Sequence, residues 1–590
     1  MFSRTAHSAT FWVLILSERR QTNGSPKEAS PTTWHNYISS NKDPSDLAFL
    51  FNFFFFLYIY LLSRRIAMGL EDNELVKRFI NVGEKKAGST TMGIIVGMFA
   101  AFGGVLYGYD TGTINGVMAM KYVKARFPGN GEEFTSSETS LIVSILSVGT
   151  FFGSLAAPFF TDTIGRKWCL ILSSLVVFNV GVVLQTAATN IPLLCVGRAI
   201  AGGGVGLISS TIPLYQSEAA PKWIRGAIVS CYQWAITIGI FLAAVFNQAT
   251  HSRNDSGSYR IPIALQLLWS LILGIGMFFL PETPRFYVSK EREDKAMEAL
   301  SKLRKLPTDH PDLIEEYDDI KAAYEFEKEY GKSSWGQVLS NKNHQRKRLA
   351  TGVLCQAFQQ LTGVNFIFYF GTNFFNAAGV DGFVTTLATN IVNVGATVPG
   401  ILLMEIAGRR NILLGGAAGM SISQLIVAIV GVAASSDSSK KVLVAFSCIF
   451  IAFFAATWGP CAWVVIGELF PLRTRAKSVA LCTASNWLWN WGIAYATPYM
   501  VDKDKGNLGT NVFFIWGGCN CLCFIFAWIF IYETKNLTLE QVDELYERIP
   551  HAWKSQGFIP TEHAFREDVH VDSRLDDTKA EAISIEETSV

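Results

Sequence analysis

The apolar positions of this chain fall into blocks too long and too continuous for the one-sided helices of a water-soluble protein. Crossing a hydrocarbon core about 30 Å thick takes roughly 20 mostly apolar residues. Stretches that meet this measure after residue 90 are 93–117, 140–161, 168–187, 191–214, 226–247, 261–280, 350–376, 382–407, 411–434, 442–466, 476–501 and 511–532. Six precede residue 281 and six follow residue 349. Between them, Pro284 to Leu349 is charged, with Ala296, Leu300 and Leu303 spaced for one face of a short helix. That connection reads either as helices packed under the bundle or as a solvated linker.

Short signatures at the ends of the apolar stretches recur. Gly165-Arg166-Lys167 returns as Gly408-Arg409-Arg410, a shift of 243 residues; Glu218 and Arg225 return as Glu468 and Arg475, a shift of 250; Glu282-Thr283 returns as Glu533-Thr534, a shift of 251. The chain is a duplication, and the predicted fold is an all-α membrane protein of twelve transmembrane helices in two pseudo-symmetric six-helix halves. Duplicated halves around a central site are a pattern of secondary transporters.

The expected organisation is an N-terminal half over 93–280, a cytoplasmic helical linker over 281–349, a C-terminal half over 350–532 and a cytoplasmic tail over 533–590. Residues 68–92 form a cytoplasmic lead, and 1–67 a doubtful extension. Within the extension, 49–62 is apolar but short, and no small-residue cleavage site follows it. Three readings stand: a true start at Met68, an additional spanning or surface-lying helix, or a targeting segment. The ordinary polar lead after Met68 favours the first. Beyond about residue 560 the polar, acidic tail is expected to be disordered.

Half of the 590 residues are hydrophobic, 43 of them phenylalanine, and the net charge is +1, so no nucleic-acid footprint is present. The ten cysteines all fall in predicted helices, and Cys519, Cys521 and Cys523 lack metal-knuckle spacing, so no metal site is expected. No histidine lies in a predicted span, which removes an intramembrane histidine relay. No nucleophile–base pair or phosphate loop appears, so the chain does not read as an enzyme. Basic residues of the short loops tie between the two sides. The lead before the first helix and the basic ends of the linker break the tie and place both termini in the cytoplasm. The sequon at Asn254 then lies outside.

Two formal charges sit well inside the spans, Asp110 in the first and Arg198 in the fourth. Each lies seven residues from the outer end of its span, about 10 Å deep at about 1.5 Å per residue, so they can meet. A buried ion costs at least a few kcal/mol, which an opposed pair reduces. The pair reads equally as a proton-responsive carboxylate held by an arginine or as a permanent brace between helices. Amides and indoles gather in the second half: Gln359, Gln360, Asn365, Asn393, Trp458, Trp463, Asn486, Trp487 and Asn490, joined by Gln233 from the fifth span. An amide offers donor and acceptor together, which suits a neutral polyhydroxyl ligand. Interhelical hydrogen bonding is the plainer alternative for any single one. Gln359-Gln360-x4-Asn365 is interrupted by Gly363, where a helix opens toward a cavity.

From Met92 to Glu544 the chain resembles the sugar porters of the major facilitator superfamily, and among them the fungal hexose transporters. The motifs that carry this are Gly108-Tyr-Asp110-Thr-Gly112, Asp162-Thr-Ile-Gly165-Arg166-Lys167, Gly197-Arg198, Pro281-Glu282-Thr-Pro-Arg285, Gln359-Gln360-Leu-Thr-Gly363-Val-Asn365, Glu405-x3-Arg409-Arg410 and Tyr532-Glu533-Thr534-Lys535. The resemblance implies the major facilitator fold and sugar contacts at Gln233, Gln359, Gln360, Asn365, Asn393 and Trp463, with Asn486 and Trp487 lining the cavity. It further implies a cytoplasmic salt-bridge network of Arg166, Glu218, Arg225, Glu282, Glu405, Arg409, Glu468 and Arg475. Asp110 is similar to the proton-coupled members, where animal facilitators place an amide, but some fungal facilitators share it, so with Arg198 it permits proton coupling without requiring it. Ala455 stands where many animal facilitators carry glutamate, and Tyr532 and Asn536 replace the usual proline and glycine.

The expected function is transport of a monosaccharide, glucose in first place, by alternating access with proton symport. A facilitative uniporter and a non-transporting glucose sensor stand as alternatives. No cofactor is expected beyond the coupling proton. The expected partners are the sugar and the lipid bilayer, with no nucleic acid; the expected state is a monomer in the plasma membrane.

Overall fold

A computed structural model describes residues 91–559 apart from 129–133, 221–224, 330–334, 342–343, 434–436, 472–473, 503–504, 536 and 538. The expectations for residues 1–67, for most of 68–92 and for the tail past 559 lie outside the described residues, as do the side chains of Arg225 and Glu405. The described residues are helical with connecting turns, and no strand occurs among them.

The N-terminal half comprises α1 (Met92–Ala119), α2 (Ser136–Thr163), α3 (Arg166–Ala187), α4 (Ile191–Ala219), α5 (Arg225–Thr250) and α6 (Gly257–Phe278). The C-terminal half comprises α7 in two pieces (Gln345–Leu361 and Val364–Ala377), α8 (Gly382–Ala407), α9 (Arg409–Ala433), α10 in two pieces (Asp437–Ala456 and Trp458–Glu468), α11 (Arg475–Val501) and α12 (Val512–Phe530). By length and composition ten of these helices can cross a membrane. Of the two that fall short, α7 is divided into pieces of 17 and 14 residues, and α11 carries Asn486 and Asn490. Both turn their amides, Gln359, Gln360, Asn365, Asn486 and Asn490, to a buried face and away from lipid.

Within a half, close helix pairs depend on small residues. Gly104, Gly108 and Gly112 recur every fourth position of α1. A Cβ at Gly108 would stand 2.0 Å from the Ile236 carbonyl oxygen of α5. In lipid, where apolar burial gives no net drive, this backbone approach supplies the packing attraction.

The repeated signatures fold alike. Gly165 (φ 101°) and Gly408 (φ 85°) adopt dihedrals that other residues rarely accept, and each turns the chain directly into the next helix. Glu282 accepts the Lys167 backbone N–H at 3.0 Å; Glu533 accepts those of Arg409 and Arg410 at 2.9 and 3.2 Å. Each carboxylate thereby caps the positive end of the third helix of its half.

Helices Pro284–Ser289, Glu293–Arg304 and Pro311–Glu329 follow α6 and bury Val288, Ala296, Leu300, Leu313 and Tyr317 against one another. Their side of the bundle is called here the linker end, and the opposite side the far end. The polar tail also contains structure that its composition did not announce. Helix Leu539–Arg548 docks on the linker end of the C-terminal half, burying Val542, Leu545 and Tyr546 with Leu349, Trp463 and Phe470.

At the far end the halves meet. Ser140 Oγ donates to the Tyr495 carbonyl at 2.8 Å, Ser147 Oγ to Asn490 Oδ1 at 2.6 Å, and the Thr372 N–H to Asn115 Oδ1 at 3.2 Å. The His251 ring stacks on Phe383 with centroids 4.4 Å apart.

Candidate functional site: an amide-lined cavity between the halves

The site is built on two helix breaks. At Gly363 (φ 81°) the hydrogen-bond chain of α7 is interrupted, with Gln359 and Gln360 before the break and Asn365 just after it. In α10, Thr457 (φ −132°, ψ −86°) separates the two pieces. Gln359 links the breaks, its Nε2 donating to the Trp458 and Gly459 carbonyls at 3.0 and 2.9 Å.

Around this link the amides form a closed set. Asn486 Nδ2 donates to Gln356 Oε1 at 2.6 Å and to Gln359 Oε1 at 2.8 Å, while its Oδ1 accepts from Gln360 Nε2 at 2.8 Å. Asn365 Nδ2 donates to Gln360 Oε1. Asn490 accepts from Tyr369 at 3.0 Å as well as from Ser147 of the other half. Unpaired, each buried amide would cost a few kcal/mol; paired, the set is stable yet can exchange partners for ligand hydroxyls.

These groups border a cavity with about 440 Å³ of empty space, lined by Tyr107, Thr111 and Gln233 from the N-terminal half and by Gln359, Gln360, Asn365, Phe368, Trp463 and Asn486 from the C-terminal half. No formally charged side chain lines it. The chemistry fits a neutral ligand rich in hydroxyl groups with an apolar face for the aromatic rings. A second space toward the linker end, bordered by Thr161, Ser210, Ser217, Arg475 and Val479, shares Trp463 with the first.

Of the residues expected to contact or line the sugar site, Gln233, Gln359, Gln360, Asn365, Trp463 and Asn486 come together at the cavity. Asn393 and Trp487 do not border it. Asn393 is buried in α8 with neither amide atom paired, and Trp487 donates across the halves to Ser209 Oγ at 3.3 Å and meets Tyr107 edge to face. Sequence reasoning passed over Gln356, although its i, i+3 spacing to Gln359 was a usable signal. It also missed Tyr107 and Ser147, which no pattern marked.

Asp110 lies behind the wall, next to the cavity-lining Thr111, and is fully buried with Arg198. The two approach without hydrogen bonding: Arg198 Nη1 is 3.9 Å from Asp110 Oδ1, and Arg198 Nε donates to the Ile142 carbonyl at 2.7 Å. Neither Asp110 oxygen has a partner among the described residues, although Gln266 of α6 faces the same carboxylate.

Of the expected network at the linker end, two pairs are seen among the described residues, one in each half. Arg166 bonds Glu218 at 3.1 Å in the N-terminal half, and Arg409 bonds Glu468 at 2.8 Å in the C-terminal half. Thr534 Oγ1 adds a 2.7 Å bond to Glu468, and Arg475 donates to the Gly467 carbonyl at 2.7 Å. Burial pushes the Glu282 carboxyl up to about 7, against the backbone N–H groups of Thr283 and Lys167 that favour its charged form. Asn254 is exposed in the far-end loop between α5 and α6.

A sequence profile described as "Sugar (and other) transporter" matches residues 96–546, most of the chain. The chain belongs to the sugar transporter family. This sugar transporter is 52% identical over 81% of its length to the major facilitator-type transporter ecdD of Aspergillus rugulosus, covering 91% of that protein. It is 48% identical over 79% of its length to the high glucose sensor RGT2 of Saccharomyces cerevisiae, of which it spans 62%. Among solved structures it is similar to the partially occluded inward-open xylose transporter XylE from E. coli, with a TM-score of 0.63 and 25% identity, covering 75% of this chain and 99% of XylE. The twelve-helix bundle of two halves is the major facilitator fold, and the family is one of transporters rather than enzymes.

Proposed function

We propose that this sugar transporter carries a hexose, with glucose the first candidate, across the membrane by alternating access. The observation that carries the reading is the uncharged, amide-lined cavity between the halves, lined from both. Bound hydroxyl groups would take over bonds that Gln359, Gln360 and Asn486 now make to one another, so entry and exit trade one set of bonds for another. Similarity to a fungal major facilitator-type transporter and to a solved xylose transporter supports transport. With the linker end on the cytoplasmic side, as the basic residues there favour, the far-end contacts close the outer gate in this structure. A monomer in the plasma membrane, both termini inside and Asn254 glycosylated outside, completes the reading.

The Asp110–Arg198 pair is the proposed proton switch. Its separation leaves the carboxylate free to exchange a proton while the arginine limits the cost of its charge. The test is radiolabelled glucose uptake in liposomes and in a host lacking hexose transporters. The Asp110→Asn variant is expected to lose uphill, pH-driven accumulation and to keep sugar exchange. Parent uptake that ignores a protonophore would overturn the coupling, and a parent that neither binds nor exchanges any simple sugar would overturn the function.

Similarity to the glucose sensor favours a second reading, a receptor of the same fold that binds glucose without moving it. Growth of the transporter-null host on glucose separates the two.

A further inference from the structure

The break in α7 leaves a carbonyl without its helical partner. In an unbroken helix the Thr362 oxygen would accept the Phe366 N–H; here Phe366 donates to Gly363 at 3.1 Å instead. Thr362 is fully buried, so its oxygen needs donors from elsewhere. They come from the side facing away from the cavity. Gln424 Nε2 of α9 donates at 3.0 Å and Asn520 Nδ2 of α12 at 3.1 Å. Asn520 Nδ2 also reaches Gln424 Oε1 at 2.7 Å and the Trp516 carbonyl at 2.9 Å, so two hydrogens serve three acceptors and the amide orientation is fixed. Trp516 packs on the break itself, where a Cβ at Gly363 would fall 2.5 Å from its ring.

The duplication supplies an internal control. Asn179 of α3 and Ser270 of α6 are the polar pair nearest the corresponding places, at shifts of 245 and 250 residues from Gln424 and Asn520, two and one residues off the register of the flanking signatures. They bond each other, and Asn179 turns back to the Leu175 carbonyl of its own helix at 3.1 Å. No described hydrogen bond joins either to α1, and Phe102 at the bend of α1 keeps helical dihedrals (φ −57°, ψ −24°). Where the polar pair reaches the first helix of its half the helix is broken; where it does not, the helix only bends.

We infer that Gln424 and Asn520 are positioning residues that hold the α7 break open from behind. They occupy the carbonyl that would otherwise re-form the helix, leaving Val364–Ala377 able to swing at the far-end gate. Neither touches the cavity. The inference rests on the transport reading for its functional consequence but not for its structural one.

The test uses the full chain in lipid with Gln424→Met and Asn520→Leu, which keep approximate size and remove the donors. Glucose turnover is expected to fall at least tenfold with KM within threefold, because α7 straightens while its cavity amides remain. Hydrogen–deuterium exchange should slow at least fivefold in peptides of 364–377 and stay unchanged in α1. The counterpart Asn179→Leu should leave turnover within twofold. Unchanged α7 exchange in both variants, or protection lost across the whole chain, overturns the inference. A parent without sugar flux overturns the transport reading alone, since the exchange measurement still decides the hinge.

Discussion

The carboxylate of Glu282 occupies the space that a side chain on Gly165 would need: a Cβ there would stand 2.3 Å from Glu282 Oε2. Gly408 and Glu533 repeat the relationship, also at 2.3 Å. Gly165→Ala and Gly408→Ala each combine a left-handed backbone with displacement of a capping carboxylate. Each should cost about 2 kcal/mol or more, read as a lower thermal midpoint of the purified protein, with both halves equally sensitive. A neutral result in either would separate the repeats.

The raised Glu282 carboxyl gives a pH dependence with a defined sign. Between its ordinary value of 4.5 and about 7 the folded protein holds the proton that the unfolded chain has lost. Stability from this group is therefore fully present below about 4.5 and is lost as pH rises through 7, on the order of 1–3 kcal/mol. Thermal midpoints measured from pH 5 to 8 should decline more steeply in the parent than in Glu282→Gln.

Docking of the tail helix is held by a buried charge. Arg348 is fully buried, pairs with Asp543 and lies 4.5 Å over the Tyr546 ring. Asp543→Ala leaves that guanidinium buried without its partner, and a stability loss of about 3–5 kcal/mol is expected. Arg348→Met added to Asp543→Ala should restore part of it. Equal midpoints for the single and double variants would show that the tail contributes only apolar contact.

The Ser147–Asn490 bond joins the halves on the far-end side at 2.6 Å. Ser147→Ala removes about 1 kcal/mol from the far-end closed state, a shift of about fivefold toward far-end opening. Labelling of a cysteine placed at Ser140 by a membrane-impermeant reagent should quicken accordingly, with no change in folded yield.

Much of the site was legible because its residues bracket one glycine. Gln359, Gln360 and Asn365 lie on either side of Gly363, and a helix break brings such neighbours to one cavity. Asn393 and Trp487 came from the inventory of membrane amides and indoles and from the resemblance, and nothing local fixes which wall of α8 or α11 meets the ligand. The tail helix was unreadable for a different reason: its apolar face is narrow, and its partners Leu349 and Phe470 lie roughly 200 and 75 residues earlier.

Helix number, the duplication and the inventory of buried polar groups were fixed by the amino-acid order, since membrane thickness and the helical rise set the length of every span locally. The fold decided which amides bond each other, that Asp110 and Arg198 approach without touching, and which end of the bundle is closed. Those outcomes depend on helix pairs brought together across 88 residues or more, where a rotation of one helix exchanges one amide partner for another without changing the hydrophobic pattern.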